Sequence, residues 1–418
     1  MSRWIPRSTL AGAIGNAVEW FDFAAYGYFA RQIGEAFFPV DVPSLQLLSA
    51  FAVFAVGYLM RPVGGLLLGP IGDLVGRRVL LCVSVAVMAA CSLGIALLPP
   101  TSQWGLGSAV LLVLLRLLQG LSVGGEFTGS VVSLVESAPP QRRGFLASFA
   151  SAGAALGFVG GSLAAALVQL WLEPAAVQQW GWRLPFLVGV VLGLWALGLR
   201  RHLEETRPEE LPQPGLAAHF GALKGQAPAM LRLMGAVALS SVSFYASTVF
   251  AVQEMSARLP HLTGSINTLS TVNQAIGVGL ILLGGHLADR GAPVRLARRL
   301  SLVLALALLP GMLFLGSGSL LAFGVGQLAL LVPLMLYLGV QPSLLPYLFP
   351  AAQRCSAFSL SYGVVAALLG GTLPLIATWL QDSLGLMQGP AFYGLIWAVP
   401  TLLVYRHLER QLQPDWKS

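Results

Sequence analysis

The stretch GNAVEWFDF, Gly15 to Phe23, places two carboxylates, Glu19 and Asp22, in the middle of an apolar run near the start of the chain. The run covers residues 8–34, which as a helix is long enough to cross a bilayer. Residues three apart share one face of a helix, and Tyr26 lies one further turn along that face. A carboxylate facing lipid would cost several kcal/mol, so we expect this face to point at the interior of a helix bundle or a water-filled cavity.

The rest of the chain has the same apolar character. Of its 418 residues, 56% are hydrophobic and 10% are charged, and the mean hydropathy is +0.76. These values exclude a soluble globular protein. Hydropathy predicts an all-α membrane protein with twelve transmembrane helices. The predicted spans are residues 8–34, 45–72, 79–98, 105–136, 145–172, 183–199, 231–255, 266–288, 300–317, 321–345, 356–382 and 390–407.

The net charge of +7 is concentrated in alternate loops and at the two ends of the chain. The basic residues of these segments are Arg3, Arg7, Arg77, Arg78, Arg142, Arg143, Arg200, Arg201, Arg207, Lys224, Arg232, Arg290, Arg295, Arg298, Arg299, Arg354, Arg406, Arg410 and Lys417. The opposite loops hold only Arg31, Arg183 and Arg258. We expect a multi-pass protein of the bacterial inner membrane. The positive-inside rule then predicts that both termini lie in the cytoplasm. The basic balance therefore reflects topology and gives no reason to expect nucleic acid as a partner.

The sequence offers no pattern for a metal or a cofactor. The three cysteines are spaced without a metal-ligand pattern, and we interpret them as packing residues. The glycines of the fourth span follow no strand and have neither Walker nor Rossmann spacing, which predicts close helix packing and excludes an ATP-driven pump. These glycines are Gly120, Gly124, Gly125 and Gly129.

Local similarity indicates that the chain is duplicated. GPIGDLVGRR after span two matches GGHLADRGAP after span eight, which aligns Asp73 with Asp289. PPQRRGFLASF before span five matches PAAQRCSAFSL before span eleven, which aligns Arg142 with Arg354. Both spacings are close to half the chain length, as expected for the repeats of secondary transporters. The predicted organisation is a six-helix bundle over 1–200, a cytoplasmic linker over 201–228 and a second six-helix bundle over 229–418.

These motifs resemble the major facilitator superfamily, and within it the metabolite:proton symporters, which include proline/betaine, shikimate, 2-oxoglutarate and citrate carriers. The resemblance rests on GNAVEWFDF, LMRPVGG, GDLVGRR, RLLQGLSVGGEFTG, RRGF, WGWRLPFL and RRHLEET in the first half, and on FSLSYGVVAALLGGTLPLIATWL and PAFY in the second. The segment LADRGAP departs from the usual pattern of an acid, arginine, glycine and paired basic residues. The resemblance implies two pseudo-symmetric six-helix halves and transport by alternating access.

The buried acids are the candidates for proton coupling. Desolvation and mutual repulsion favour uptake of a proton by Glu19 or Asp22. In the fourth span, Arg116 and Glu126 lie about 15 Å apart along the axis and about 80° apart around it, so they cannot pair. Arg116 is then available to a carboxylate of the first span or to an anionic group of the substrate. The resemblance adds Glu126 to the substrate and proton path, while the structural alternative for all four residues is hydrogen bonding or ion pairing between helices.

A second set of residues forms a predicted cytoplasmic gate. Asp73 can accept hydrogen bonds from amides at a helix amino terminus or pair with an arginine, and Arg77 and Arg78 can meet acids such as Glu136. The resemblance implies that this motif latches the two halves together in the outward-open state; the alternative is that the basic pair only sets topology. The predicted gate residues are Asp73, Arg77, Arg78, Glu136, Arg143 and Asp289.

The predicted function is uptake of a small polar organic solute, such as a carboxylate or a zwitterionic osmolyte, by proton symport through a monomeric transporter. The predicted substrate-binding residues are Tyr26, Arg116, Glu126, Tyr245, Asn273, Gln274 and Tyr362. Two alternatives are proton-coupled efflux of amphiphilic compounds and a receptor that binds solute without moving it. The spans contain no nucleophile and base pair and no metal cluster, so an enzyme is not expected.

Overall fold

The computed structural model describes residues 6–38, 43–207, 215–373, 376–377, 379–380 and 388–412. Within these ranges the regular secondary structure is helical and includes no strand, which confirms the predicted all-α fold. The helices, numbered in chain order, are α1 (Arg7–Tyr28), α2 (Ala30–Phe37), α3 (Pro43–Leu59), α4 (Arg61–Pro70), α5 (Arg77–Leu97), α6 (Thr101–Trp104), α7 (Leu106–Ser137), α8 (Arg143–Trp171), α9 (Pro174–Gln179), α10 (Leu184–Arg200), α11 (Leu216–Lys224), α12 (Ala227–Tyr245), α13 (Ala251–Arg258), α14 (Thr263–Asp289), α15 (Pro293–Leu315), α16 (Leu320–Leu344), α17 (Arg354–Val365) and α18 (Gly389–Leu412).

In the described part of the chain, nine helical segments are long and apolar enough to cross a membrane. They are Leu48–Val75, Arg77–Leu97, Leu106–Ser137, Pro140–Trp171, Gly181–Arg200, Ala227–Ser256, Pro260–Asp289, Pro293–Leu315 and Leu320–Leu348. These segments correspond to predicted spans two to ten. The first, eleventh and twelfth predicted spans overlap α1, α17 and α18. Residues 208–214 of the predicted linker, the end of the eleventh span, Arg3 and Lys417 lie outside the described residues.

The second predicted span is not one continuous helix. Helix α3 ends at Leu59 and α4 begins at Arg61, with Pro62 in its first turn. Proline cannot donate the backbone hydrogen bond that would continue the preceding helix, so the chain restarts a helix here. The break puts Arg61 at a helix start in the middle of an apolar segment.

The loop after this segment also requires a particular backbone. A π-helical turn, Ile71–Val75, is followed by Gly76 with a φ of 146°. Side chains disfavour this region, which glycine adopts at little cost. Gly76 therefore allows α5 to begin directly afterwards at Arg77.

The helices group into two compact units. The first unit contains the described residues of Met1–Glu136, Gly153–His219 and Ala351–Gly363, and the second those of Ser137–Ala152, Phe220–Pro350 and Val364–Ser418. Helices α8 and α17 are therefore each divided between the units, and these are the two helices that the internal repeat aligns. The division into halves at 1–200 and 229–418 stays a prediction.

In the first unit, α10 packs against α5 and α1, and in the second, α16 packs against α14 and α15 while α18 packs against α12 and α15. Glycines bring α7 close to the segment formed by α3 and α4. A Cβ atom on Gly120 would lie 2.8 Å from the Gly57 Cα, and one on Gly124 would lie 2.7 Å from the Gly65 nitrogen. The prediction that the glycines of the fourth span serve close helix packing is confirmed at these positions.

Candidate functional site

The two acids of α1 are both buried in the first unit but have different surroundings. Glu19 is 1% exposed and forms an ion pair with Arg61, with 3.7 Å between Oε1 and Nη2. Among the described residues, neither carboxylate oxygen of Glu19 has a hydrogen-bond partner. Asp22 is fully buried, and its Oδ2 accepts a hydrogen bond from the Ser92 hydroxyl of α5. The shared helix face predicted from their spacing therefore leads to two separate sets of contacts.

A chain of hydrogen bonds connects Asp22 with Arg116. The Gln119 Nε2 donates to the Ser92 Oγ at 3.1 Å, and Ser92 in turn donates to Asp22. At the other end, Arg116 Nη1 donates to Gln119 Oε1 at 2.7 Å. All four side chains are buried, so water does not compete for these bonds. The chain runs from α1 through α5 to α7 and joins a buried acid to a buried cation.

The rest of the Arg116 guanidinium is directed at aromatic rings. Its Cζ lies 3.6 Å from the centroid of the Tyr26 ring and 5.3 Å from that of Phe23, which are cation–π distances. The Tyr26 hydroxyl donates to the Ala50 carbonyl at 3.1 Å. Within the described residues, Nε and Nη2 of Arg116 have no hydrogen-bond partner, and no carboxylate forms an ion pair with it. A buried guanidinium with two such nitrogens is suited to a bidentate carboxylate.

Glu126 pairs with Arg200 of α10 and not with Arg116 of its own helix. Arg200 donates to both of its carboxylate oxygens, at 2.5 and 2.8 Å, and the Ser84 hydroxyl donates a third bond. Arg200 also donates to the carbonyls of Ala11 and Leu81 at 3.2 and 2.7 Å. The prediction that Arg116 and Glu126 do not pair is confirmed. The role of Glu126 in proton coupling stays a prediction, and its contacts are those of an internal ion pair between helices.

The sequence analysis missed Arg61 as a site residue. It is 4% exposed, and its Cζ lies 4.2 Å from the centroid of the Tyr58 ring, 5.3 Å from Phe23 and 5.4 Å from Trp20. The signal was present, because an arginine inside an apolar span is rarely placed there without a buried partner. Arg200 was counted with the loop arginines, but α10 continues to this residue and buries it fully. Nothing in the sequence distinguishes Ser92 and Gln119 from the other polar residues of the predicted spans.

At the predicted gate, Asp73 accepts hydrogen bonds from the backbone amides of Cys355 and Ser356 at the start of α17, at 2.9 and 2.8 Å. Arg77 Nη1 donates at 3.2 Å to Asp73 Oδ1, the oxygen that also accepts from the Cys355 amide, and Arg77 also donates to Glu136 at 3.1 and 3.2 Å. Asp73 thus makes both kinds of contact that its type allows. The negative charge lies at the amino end of α17, where the helix dipole favours it.

Further residues surround this network. Glu136 also accepts from Arg354 Nη1 at 2.7 Å. The backbone amides of Arg77 and Arg78 both donate to Glu205, at 2.7 and 3.1 Å. The side chain of Arg78 differs from that of Arg77, because it donates to the Leu203 carbonyl at 3.4 Å. His219 of α11, the helix in the predicted linker, is buried with Nε2 2.9 Å from the Ser356 hydroxyl. The linker therefore contributes a buried residue to the gate network.

Asp289 makes the matching contacts in the second unit. It accepts hydrogen bonds from the backbone amides of Gly144 and Phe145, at 2.6 and 2.9 Å, at the start of α8. Arg143 lies beside this helix start with its Cζ 5.0 Å from the centroid of the Tyr347 ring. The departure of LADRGAP from the family pattern therefore leaves the capping function of its acid intact.

The predicted substrate residues of the second half contact other groups of the protein. Asn273 donates to Gln327 Oε1 of α16 at 2.9 Å, whereas Gln274 donates to the Ser270 hydroxyl of its own helix, α14, at 3.2 Å. The ring of Tyr245 meets the adjacent Phe244 ring edge-on and approaches the backbone at residue 370. These three residues lie in the second unit. Their role in binding stays a prediction.

Tyr362, the remaining predicted substrate residue, lies in the first unit. Its ring stacks on Phe127 of α7, with the centroids 5.0 Å apart, and meets Phe358 edge-on at 6.0 Å. The structure thus groups Tyr362 with the unit that holds Glu19, Asp22, Tyr26 and Arg116.

The sequence matches a known protein family and known transporters. Residues 10–344 match the model of the Major Facilitator Superfamily. The chain is 33% identical over 413 residues to the glycine betaine/proline/ectoine/pipecolic acid transporter OusA of Dickeya dadantii (strain 3937), covering 95% of this chain and 82% of that protein. It is 32% identical to the proline/betaine transporter of Escherichia coli (strain K12), with the same coverage.

Solved structures show the same fold at low sequence identity. The proton:xylose symporter XylE superimposes with a TM-score of 0.70 at 17% identity, covering 97% of this chain and 95% of that one. The human organic anion transporter TETRAN superimposes with a TM-score of 0.68 at 17% identity, covering 96% and 99%. The relatives are transporters and not enzymes, as the sequence predicted. The chain belongs to the major facilitator superfamily and is a multi-pass membrane transporter of small solutes.

Proposed function

We propose that this protein imports a small zwitterionic or anionic carboxylate together with a proton by alternating access. The observation that carries the proposal is the hydrogen-bonded chain from Asp22 through Ser92 and Gln119 to Arg116. An acid that exchanges a proton and a cation that binds a carboxylate are the two groups that a symporter must couple. Here they are joined without being paired to each other.

Asp22 and Glu19 are better candidates for the proton site than Glu126. Both carboxylate oxygens of Glu126 already accept hydrogen bonds, two from a guanidinium and one from a hydroxyl. Asp22 has one such bond and a second oxygen with no hydrogen-bond partner in the described part of the chain, and Glu19 has none at either oxygen. These two acids therefore have carboxylate oxygens that can take up a proton without first losing a hydrogen bond.

The hydrogen bonds between Asp22 and Arg116 couple the proton site to the carboxylate site. The coupling acts through the charge of Asp22 and through the direction in which the Ser92 hydroxyl donates. When Asp22 is ionised, Ser92 donates to it, and the negative charge offsets part of the attraction of Arg116 for an anion. When Asp22 is protonated, Ser92 donates instead to the Met88 carbonyl, which is 2.9 Å away. The charge of Arg116 is then less compensated, so a solute carboxylate binds more tightly. By linkage, bound solute favours protonation of Asp22 to the same degree.

The substrate class is inferred from the relatives and from Arg116. Glycine betaine, proline, ectoine and pipecolic acid, which the relative from Dickeya dadantii transports by its name, are small zwitterions with one carboxylate. One buried guanidinium with two available nitrogens matches one carboxylate. We therefore favour a zwitterionic osmolyte over a dicarboxylate or tricarboxylate.

The two aspartate caps are proposed as the cytoplasmic gate, with both termini in the cytoplasm. Asp73 and Asp289 each hold the start of one helix through two backbone amides. Contacts that exist in only one conformation bias an alternating-access equilibrium toward it. Breaking either cap is then part of opening toward the cytoplasm.

The test is transport current in proteoliposomes on a solid support, with glycine betaine, proline and succinate applied under an inward proton gradient. We expect an inward positive current with the zwitterions that is lost in Asp22→Asn and Glu19→Gln, while solute exchange without a gradient persists. Glu35→Gln, which removes an acid that is paired with exposed Arg31, is the matched control. Currents in Asp22→Asn and Glu19→Gln equal to those of the wild type would remove these acids from coupling. Outward movement, or binding without movement, would favour efflux or a receptor.

A further inference from the structure

Arg61 lies in a box that has the chemistry of a binding site for an organic cation. The centroids of three aromatic rings are within 5.4 Å of its Cζ, and the closest, Tyr58, is at 4.2 Å. Trp20 and Phe23 come from α1 and Tyr58 from α3. Several ring faces around one cation are the usual means by which proteins bind substituted ammonium groups.

The carboxylate of this box, Glu19, makes only a long contact with Arg61. Glu19 lies 3.7 Å from Arg61, beyond the 2.7–2.9 Å typical of a charge-assisted hydrogen bond. Arg200 and Glu126 in the same unit are joined at 2.5 and 2.8 Å, so the fold does form tight buried pairs. The contact between Arg61 and Glu19 is therefore electrostatic attraction without the directional bonds that would lock it.

A group without N–H donors fits these partners better than a guanidinium does. Ring faces accept cations without directional bonds, and at 3.7 Å Glu19 meets its partner through charge and not through a hydrogen bond. A fully methylated ammonium group makes the same contacts, is weakly hydrated and loses little by leaving water. Arg61 has a long side chain, so its head group can withdraw while the backbone of α4 stays in place.

The residue proposed to bind the solute's carboxylate, Arg116, also contacts Phe23 of the aromatic box. Arg116 is also 5.3 Å from the Phe23 centroid, and its Nε and Nη2 have no hydrogen-bond partner in the part of the chain described. Phe23 is therefore in cation–π contact with both arginines. A small solute with a cationic nitrogen and a carboxylate a few bonds apart can place the nitrogen in the box and the carboxylate at Arg116, on either side of the Phe23 ring.

We propose that Arg61 is a tethered substitute for the solute's cation: it fills the box formed by Trp20, Phe23, Tyr58 and Glu19 in the empty site, and a substituted ammonium group displaces it. Whenever Glu19 is ionised, a cation then lies beside it in both states, which avoids an isolated buried carboxylate. The solute's carboxylate binds Arg116. This inference rests on the proposed function for the solute class and adds the residues that recognise the cationic end.

The proposed displacement of Arg61 is tested by measuring the equilibrium binding of ligands to the purified protein, with no proton gradient applied. The probes are glycine betaine, tetramethylammonium, and the tert-butyl analogue of glycine betaine in which carbon replaces the charged nitrogen. We expect wild-type protein to bind tetramethylammonium in competition with glycine betaine, and to bind the uncharged-head analogue at least about tenfold more weakly than glycine betaine. Equal affinity for the analogue and glycine betaine, or no binding of tetramethylammonium, overturns the proposal.

Variants test the displacement itself. Arg61→Met removes the internal competitor and should bind tetramethylammonium at least about tenfold more tightly than wild type, whereas Tyr58→Leu should bind it more weakly. Arg31→Gln removes an exposed arginine and is the control. Unchanged or weaker binding by folded Arg61→Met overturns the proposal. If Arg61→Met does not fold, the comparison of ligands on the wild type decides alone.

The outcomes separate this inference from the proposed function. Tetramethylammonium binding without proton-driven current supports the box and contradicts symport. Proton-driven uptake of radiolabelled glycine betaine and of its labelled uncharged-head analogue to the same level supports symport and contradicts the box.

Discussion

Asp22 and Arg116 form no ion pair, yet Ser92 and Gln119 join them through hydrogen bonds inside the first unit. A direct pair would neutralise both groups and leave neither available to a proton or a solute. The intervening side chains let each charge influence the other while one face of each stays available. This relationship is the basis of the first prediction.

Gln119→Leu should weaken the coupling between proton and solute. The variant removes both bonds that the amide makes, with Ser92 and with Arg116, and keeps a side chain of similar size. We expect the ratio of KM values at mildly alkaline and mildly acidic pH to fall about tenfold, equivalent to about 1.4 kcal/mol of coupling. Uptake of labelled glycine betaine at the two pH values measures it. Ser122→Ala, whose hydroxyl bonds only within α7, is the control, and an unchanged ratio in Gln119→Leu would contradict the coupling.

Glu126→Gln should destabilise the protein because it leaves buried Arg200 without its counter-charge. Breaking one partner of a buried pair costs about 3–5 kcal/mol, and the double variant Glu126→Gln with Arg200→Gln should recover part of that loss. Thermal unfolding in detergent gives the comparison. Arg201→Gln, at the exposed neighbouring position, should unfold like the wild type. A stable Glu126→Gln that has lost proton-driven uptake would instead give Glu126 the coupling role.

Asp73→Asn should expose Cys355. The two amide bonds hold the start of α17, and Cys355 is fully buried beside them. In a background with Cys82→Ser and Cys91→Ser, we expect labelling by N-ethylmaleimide to accelerate about tenfold or more, since weakening charge-assisted bonds costs about 1.5–3 kcal/mol each. Asp289→Asn removes the equivalent cap on α8 and should accelerate the labelling of Cys355 less than Asp73→Asn does. Equal acceleration in both variants would show that the effect is not local to the Asp73 cap.

Gly124→Ala should disrupt the packing of α7 against α4. The added methyl would lie 2.7 Å from the Gly65 nitrogen, and backbone cannot move aside as a flexible side chain does. Overpacking of this kind costs about 1–3 kcal/mol. Thermal unfolding and transport rate should both fall. Gly198→Ala, where nothing lies within 4 Å of the added atom, tests whether the loss is specific. A wild-type melting temperature in Gly124→Ala would contradict the packing.

The sequence by itself determined the class of fold and the places where charge enters the membrane. Nine described segments match predicted spans two to ten, because a helix that crosses a bilayer needs about 20 apolar residues in a row, and that requirement is local. Glu19, Asp22 and Arg116 were identifiable for the same reason, since each interrupts such a row. The two kinds of contact that Asp73 makes, with amides at a helix start and with an arginine, were predicted, but the helix that it caps was not.

Only the tertiary structure decided which groups meet. Arg200 pairs with Glu126 from 74 positions away, and Arg61 lies against rings from two other helices. Hydropathy and spacing specify which face of one helix is polar, but not the rotation and depth at which neighbouring helices pack. Those are set by side-chain shape and by glycines such as Gly120 and Gly124, through contacts between residues distant in the chain. The partners of every buried charge, and hence the path from proton to solute, depend on that packing.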